Sequence, residues 1–155
     1  MAYTVVRTDK LLGQTSAPYL ASARYQVSDV DTAIENGSIV ELKGLMEGQR
    51  ELYIAGKPTA DATLGKLALV ATPEICYRAD QRRLSDFINE AGSNIRCYIL
   101  HSGDIFSVSK AGVDGSAAVG SKLAVQAALK LKVDAAGTFG EIIAIENDMV
   151  VIQVA

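Results

Sequence analysis

The sequence predicts a mainly β (α+β) protein: an antiparallel β-sandwich or barrel-like core with one docked α-helix at about residues 81–91 and an extended N-terminal arm. Three observations predict it. Apolar and polar residues alternate with period two over nine short runs, Gly, Asp and Asn fill the gaps between them, and one segment carries a helical apolar period. The chain of 155 residues is long enough to bury one sizeable core, and its 49% hydrophobic and 21% charged residues are ordinary for a folded domain.

Taken in order, residues 3–7 form the first alternating run, and 11–23 (LLGQTSAPYLASA) are rich in small residues with neither period. Residues 1–23 therefore read as an arm. It is either an edge strand followed by a loop, or a segment that adds itself to a partner's sheet through backbone hydrogen bonds. A short helix is expected at 28–36, with Val30, Ala33 and Ile34 inward and Gly37 as its stop. Alternation returns at 39–43 and 51–54, joined by a turn that Gly44 and Gly48 bracket, and residues 55–65 are irregular around Gly56, Pro58 and Asp61.

Residues 66–72 make another run before the predicted helix. There Asp80 is placed to cap the N-terminus, Leu84, Phe87, Ile88 and Ala91 fall at i, i+3, i+4 and i+7, and Gly92 ends the element. Further runs lie at 95–100, 105–109, 129–133, 141–146 and 149–154. Asn147-Asp148 suits a tight hairpin because both residues tolerate positive φ. A boundary near Asp104 divides an α+β lobe (24–103) from a β-barrel-like lobe (104–155), the two forming one compact unit.

Composition narrows the chemistry. A net charge of −3 supplies no field for phosphate backbones, so neither nucleic acid nor a membrane is an expected partner. The start, MAYTVVRTDK, is too polar for a signal peptide, and no stretch approaches 18 apolar residues. The expected place of synthesis is a reducing cytoplasm, where Cys76 and Cys97 stay as free, buried thiols.

Gly115-Ser-Ala-Ala-Val-Gly120-Ser121-Lys122 has the skeleton of a phosphate-binding loop, but a P-loop needs Lys followed by Ser or Thr, and here the order is reversed. A Gly-rich β-turn fits better. His101 lies beside Ser102 and Asp104, yet a hydrolase triad converges from separate elements, and one His with two Cys makes a poor metal-ligand set. A hydrogen-bonded structural histidine is expected. The carboxylate pairs Asp80 with Asp86 and Glu47 with Glu51 are not brought to a cleft by anything in the sequence. Arg78, Arg82 and Arg83 form one basic cluster, either a solvated helix face or a contact for an acidic partner.

The run VATPEICYRADQRRLSDFINEAGSNIRCYILHSGDIFSVS (70–109), the run VGSKLAVQAALKLKVDAAGTFGEIIAIENDMVVIQVA (119–155) and the shorter NGSIVELKGLMEGQRELY (36–53) together resemble the small head decoration, or capsid cement, proteins of tailed bacteriophages, particularly those of Gram-positive hosts. The resemblance implies a non-enzymatic virion structural protein without cofactor or metal, bound in many copies to the outer surface of the major capsid protein shell. It also implies contacts with neighbouring copies, as a trimer in lambda-type relatives and as a monomer or dimer in others, and an N-terminal segment that completes a sheet of the shell protein. The contact residues it suggests are Tyr3, Val5, Arg7, Tyr19 and Leu20 in the arm, with Arg78, Arg82 and Arg83. Two other readings stay open: a tail or connector component, and a small nucleotide-binding or hydrolytic protein using 115–122.

Overall fold

Eight of the nine alternating runs contain strands in the computed structural model, which describes residues 2–8, 19–76 and 78–155; the run at 3–7 makes only an isolated bridge at Val6. The first six strands are β1 (Leu20–Val27), β2 (Val30–Asp31), β3 (Ile39–Leu45), β4 (Leu52–Gly56), β5 (Leu67–Val70) and β6 (Ile95–Ile99). The next six are β7 (Ile105–Ser109), β8 (Val113–Asp114), β9 (Lys122–Ala124), β10 (Leu131–Val133), β11 (Gly140–Glu146) and β12 (Met149–Val154). The protein is mainly β, as its patterning predicts.

Five of the first six strands close on themselves. β1 pairs in parallel with β4 and antiparallel with β6, while β4–β3, β3–β5 and β5–β6 are antiparallel. The result is a small barrel with β2 continuing β1 as a hairpin. Its interior is narrow, and small side chains fill it: Ala21, Ala23, Ala55 and Ala68 leave room for Tyr25, Val40, Val70, Ile95 and Cys97.

The second sheet has the order β7-β12-β11-β9-β10-β8 and does not close. It packs on the outside of the barrel, where Ile39, Leu67 and Leu69 meet Phe106, Val108, Leu123, Ile142, Val150 and Ile152 in one cluster. This explains the pattern of β5. All four residues of LALV are buried because one face of the strand lines the barrel and the other lines the joint core. β12, by contrast, buries alternate residues, Val150, Ile152 and Val154.

The described part of the N-terminal arm is docked within the chain. Val6 is buried opposite Val108, with the Arg7 N–H donating to the Ser107 carbonyl at 3.0 Å and the Ser109 N–H donating to the Val5 carbonyl at 2.8 Å. Thr4 donates its N–H to Glu35 Oε2 at 2.8 Å, and its methyl sits between Gly37 and Gly112. A Cβ on those glycines would lie 2.7 and 2.9 Å from that methyl, so each must lack a side chain for the segment to seat. The far end of the predicted arm is no loop either, since residues 20–23 belong to β1; residues 9–18 lie outside the described residues.

The expected helix at 81–91 is not formed. The segment holds a single 3-10 turn, Leu84–Asp86, flanked by extended Arg83 (φ −123°) and Phe87 (φ −76°, ψ 132°). Short polar side chains win over the helical period here. The Asp86 carboxylate accepts the N–H groups of Arg82 and Arg83, and Asn89 exchanges backbone hydrogen bonds with Ile34, leaving Leu84 53% exposed. Nor does Asp80 cap anything, because Arg78 holds its carboxylate. The short helix expected at 28–36 is replaced by a tight hairpin, with Ser28 at φ 51° and Asp29 at φ 63°.

Candidate functional site

The structure brings the sequence-predicted candidates together only in part: Ser102 and Lys122 line one cleft, Asp80 and Asp86 another. Gly115 and Gly120 adopt positive φ, the Gly120 N–H donates to the Ile142 carbonyl at 2.7 Å, and Lys122 opens strand β9. A P-loop places its phosphates at the N-terminus of a following helix, and here a strand follows instead. His101 is hydrogen-bonded within the chain. Its Nδ1–H donates to the Ile99 carbonyl at 3.0 Å, its ring meets Tyr19 edge-on at 4.6 Å, and the Asp104 carboxylate accepts the His101 backbone N–H at 2.8 Å.

Both cysteines are free, Cys97 fully inside the barrel and Cys76 half-buried. Burial pushes the Cys97 thiol up to about 12, the wrong direction for a nucleophile. Among the described residues, no group of three or more His, Cys, Asp or Glu side chains is arranged to hold a metal ion. A cleft of about 590 Å3 beside Lys122, Glu141 and Gln153 is otherwise lined mostly by small residues, among them Ser102, Gly103, Gly137 and Gly140.

What the fold does build is an ordered surface from the 71–94 connection. It leaves β5 and returns to β6 with no regular element beyond the one 3-10 turn among its described residues, 71–76 and 78–94, yet two buried asparagines organise it. Asn36 donates to the Thr72 carbonyl at 2.8 Å and to Glu74 Oε1 at 3.2 Å, and its Oδ1 accepts from Thr72 N–H and from Asn89 Nδ2. Arg78 clamps the outer part. Its guanidinium donates to both oxygens of Asp80 (3.0 and 2.8 Å) and to Glu90 Oε1 (3.0 Å), and this hydrogen bonding holds the Asp80 carboxyl below its usual range.

Tyr3, Arg78, Asp80, Asp86 and Glu90 share one cleft of about 550 Å3, so the structure does bring Asp80 and Asp86 together. Asp80 is held ionised by Arg78, and the Asp86 carboxylate accepts the backbone N–H groups of Arg82 and Arg83. Next to this cleft lies a smaller one lined by Pro73, Ile75, Phe87 and Ile88, with Ile75 60% exposed.

The suggested contact residues fall into three places. Tyr3 joins Arg78, Arg82 and Arg83 through the hydrogen bond from its N–H to the Ser85 carbonyl at 2.7 Å. Val5 and Arg7 run along β7. Tyr19 and Leu20 lie at the opposite end of the barrel, since Leu20 pairs with Tyr98 near the end of β6 whereas 71–94 enters at its start. Of the basic cluster, Arg78 is neutralised within the surface, Arg82 Nε rests on the Ala79 carbonyl, and the guanidiniums of both Arg82 and Arg83 are exposed.

Two arginines escape sequence inspection. Ser22, Arg24 and Gln26 alternate with buried Ala21, Ala23 and Tyr25, so they line the outer face of β1, and Arg96 does the same on β6 opposite Ser22. Only recognition of β1 as a strand would have placed Arg24 there. Comparison with protein-family models, curated proteins and solved structures returns no match.

Proposed function

We propose that this chain is a non-enzymatic virion structural protein, a capsid decoration or cement subunit that binds the outer surface of the major capsid protein shell. The observation that supports it is the 71–94 surface. Outside any strand, residues 71–76 and 78–94 are tied down by buried Asn36 and Asn89 and by the Arg78 clamp, and they present Ile75, Leu84, Arg82 and Arg83 to solvent. Apolar anchors beside arginines suit a protein interface, and pre-ordering lowers the entropy cost of docking. The same connection lies within the stretch that resembles the decoration proteins.

Strand addition by residues 3–7 is the weaker mode of attachment, because this segment already exchanges backbone hydrogen bonds with β7 and seats Val6 in the joint core. Docking through 71–94, with Tyr3 at its rim, requires no such release.

The experiment is co-sedimentation of the purified protein with expanded, undecorated capsids of the cognate phage. Wild type pellets with the shells, and the double variant Arg82→Glu/Arg83→Glu stays in the supernatant while keeping its melting temperature. Failure of the wild type to pellet overturns the proposal.

A further inference from the structure

Counted cyclically from β5, the barrel strands run β5, β6, β1, β3, β4. The first then pairs with the second, the second with the third, the third in parallel with the fifth, the fifth with the fourth, and the fourth with the first. This is the pairing scheme of an OB barrel opened at a different connection. In such barrels the outer face of the second and third strands, with the connections 1–2 and 4–5 at its two ends, receives extended polymers. Here that face is β6 with β1, and the two connections are 71–94 and 46–51.

A topology locates a surface without saying what binds there, and residues must supply the chemistry. They do so unevenly. Of the seven arginines in the sequence, Arg24 and Arg96 lie on this face, Arg78, Arg82 and Arg83 in one connection and Arg50 in the other, leaving only Arg7 elsewhere. No lysine occurs in β1, β6 or either connection. Arginine differs from lysine in offering a planar fork of donors that matches a carboxylate bidentately.

At one end the face continues into Leu20 paired with Tyr98, and beside the arginines stand hydrogen-bonding side chains. Ser22 stands opposite Arg96, and Asn94 Oδ1 accepts from Arg24 Nε at 2.9 Å. Asp31 bonds Gln26 Nε2 at 2.8 Å and lies 3.9 Å from the Arg24 guanidinium, so it orients Arg24 while neutralising part of its charge. Arg96 is exposed and makes no ion pair among the described residues.

We infer that the outer β1–β6 face is a binding surface for an acidic oligosaccharide, whose carboxylates are taken by Arg24 and Arg96 and whose hydroxyls by Ser22, Gln26 and Asn94. A single-stranded nucleic acid fits less well. It draws about 1–3 kcal/mol per base from aromatic stacking, and Tyr98, the ring this face carries, is packed against the joint core rather than free to stack. The chain's net charge of −3 also opposes a dense polyphosphate more than a sparsely charged sugar polymer.

Native-gel affinity electrophoresis tests this with polygalacturonate, neutral dextran or single-stranded oligo(dT) as the probe. Polygalacturonate is expected to retard the wild type, dextran is not, and Arg96→Gln weakens the retardation at least fivefold. Arg96 makes no side-chain hydrogen bond or ion pair among the described residues, so this variant keeps the wild-type melting curve; Arg24→Gln is the second variant and lowers retardation similarly. Absence of retardation, equal retardation by dextran, an unchanged Arg96→Gln, or a stronger response to oligo(dT) each overturns the inference. Shell co-sedimentation of Arg96→Gln should equal wild type, which keeps this surface distinct from the proposed docking of 71–94.

Discussion

Asn89 donates its side-chain amide to Asn36 Oδ1 at 3.0 Å across 53 positions of sequence, and both residues are almost fully buried. Asn36 in turn uses both amide hydrogens and accepts two bonds on its oxygen, which is the full capacity of that side chain. Removing it strands the Thr72 N–H and carbonyl and leaves Asn89 short of an acceptor. Asn36→Ala should therefore cost about 2–3 kcal/mol, a fall in melting temperature of roughly 5–10 °C for a chain of this size. Trypsin should also cut faster after Arg82 and Arg83 as the connection loosens. An unchanged melting curve would show that the amide pair does not organise this surface.

Thr4 acts as a wedge between the two sheets, its methyl in a slot formed by Gly37 before β3 and Gly112 before β8. Overpacking such a slot is costly. Gly112→Ala brings its Cβ to 2.9 Å from the Thr4 methyl and 3.3 Å from Val108, and should destabilise by about 1–3 kcal/mol. Thr4→Ser removes the methyl, so the pair of changes together should cost less than their sum by at least about 0.5 kcal/mol. Urea unfolding of the four proteins in the cycle measures this, and strict additivity would mean that the contact does not exist in solution.

The strands at 39–43, 51–54, 66–72, 95–100, 105–109, 141–146 and 149–154 were legible because β-branched and aromatic residues alternate there, or fill the run, between turn residues. β1 was not. LASARYQV alternates, but its inward residues Ala21 and Ala23 are small because the barrel is narrow, and alanine carries little strand signal. The helix at 81–91 failed for the opposite reason. Its apolar spacing is helical, yet Asp86 and Asn89 take up backbone groups that a helix would need, and the partner of Asn89 lies far away in sequence where periodicity does not reach. The surface suffered the same way: Arg78, Arg82 and Arg83 are visible as a cluster, whereas Arg24 and Arg96 come to share a face only through strand pairing.

Cys97 sits at 0% exposure inside the barrel, and desolvation alone raises its thiol from its ordinary value near 9 to about 12. A folded value above the unfolded one stabilises the protein fully below pH 9, and that contribution is lost as pH rises through about 12. Wild type should thus lose stability between pH 9 and 12 more steeply than Cys97→Ala, which has no proton to release. Alkylation at pH 8 should label Cys76 alone in the native protein and both cysteines in guanidinium. Labelling of Cys97 without denaturant would contradict its burial.

The hairpin between β11 and β12 places Asn147 at φ 47° and Asp148 at φ 65°, the left-handed pair that a two-residue turn requires. Asp tolerates this region but glycine enters it without steric penalty, so Asp148→Gly relieves strain at the second position. Against this stands the loss of the Lys110 Nζ to Asp148 Oδ1 contact at 3.0 Å. Its side chains are 53% and 87% exposed, and surface pairs of this kind contribute about 0–1 kcal/mol and are screened by salt. The backbone bond from the Lys110 N–H to the Asp148 carbonyl survives the change. Relief of strain should prevail, raising stability by roughly 0.5–1 kcal/mol. The gain should grow slightly in 0.5 M NaCl, where the wild-type pair is already screened. A loss of stability at low salt that disappears at high salt would show instead that the ion pair, rather than the turn, governs this hairpin.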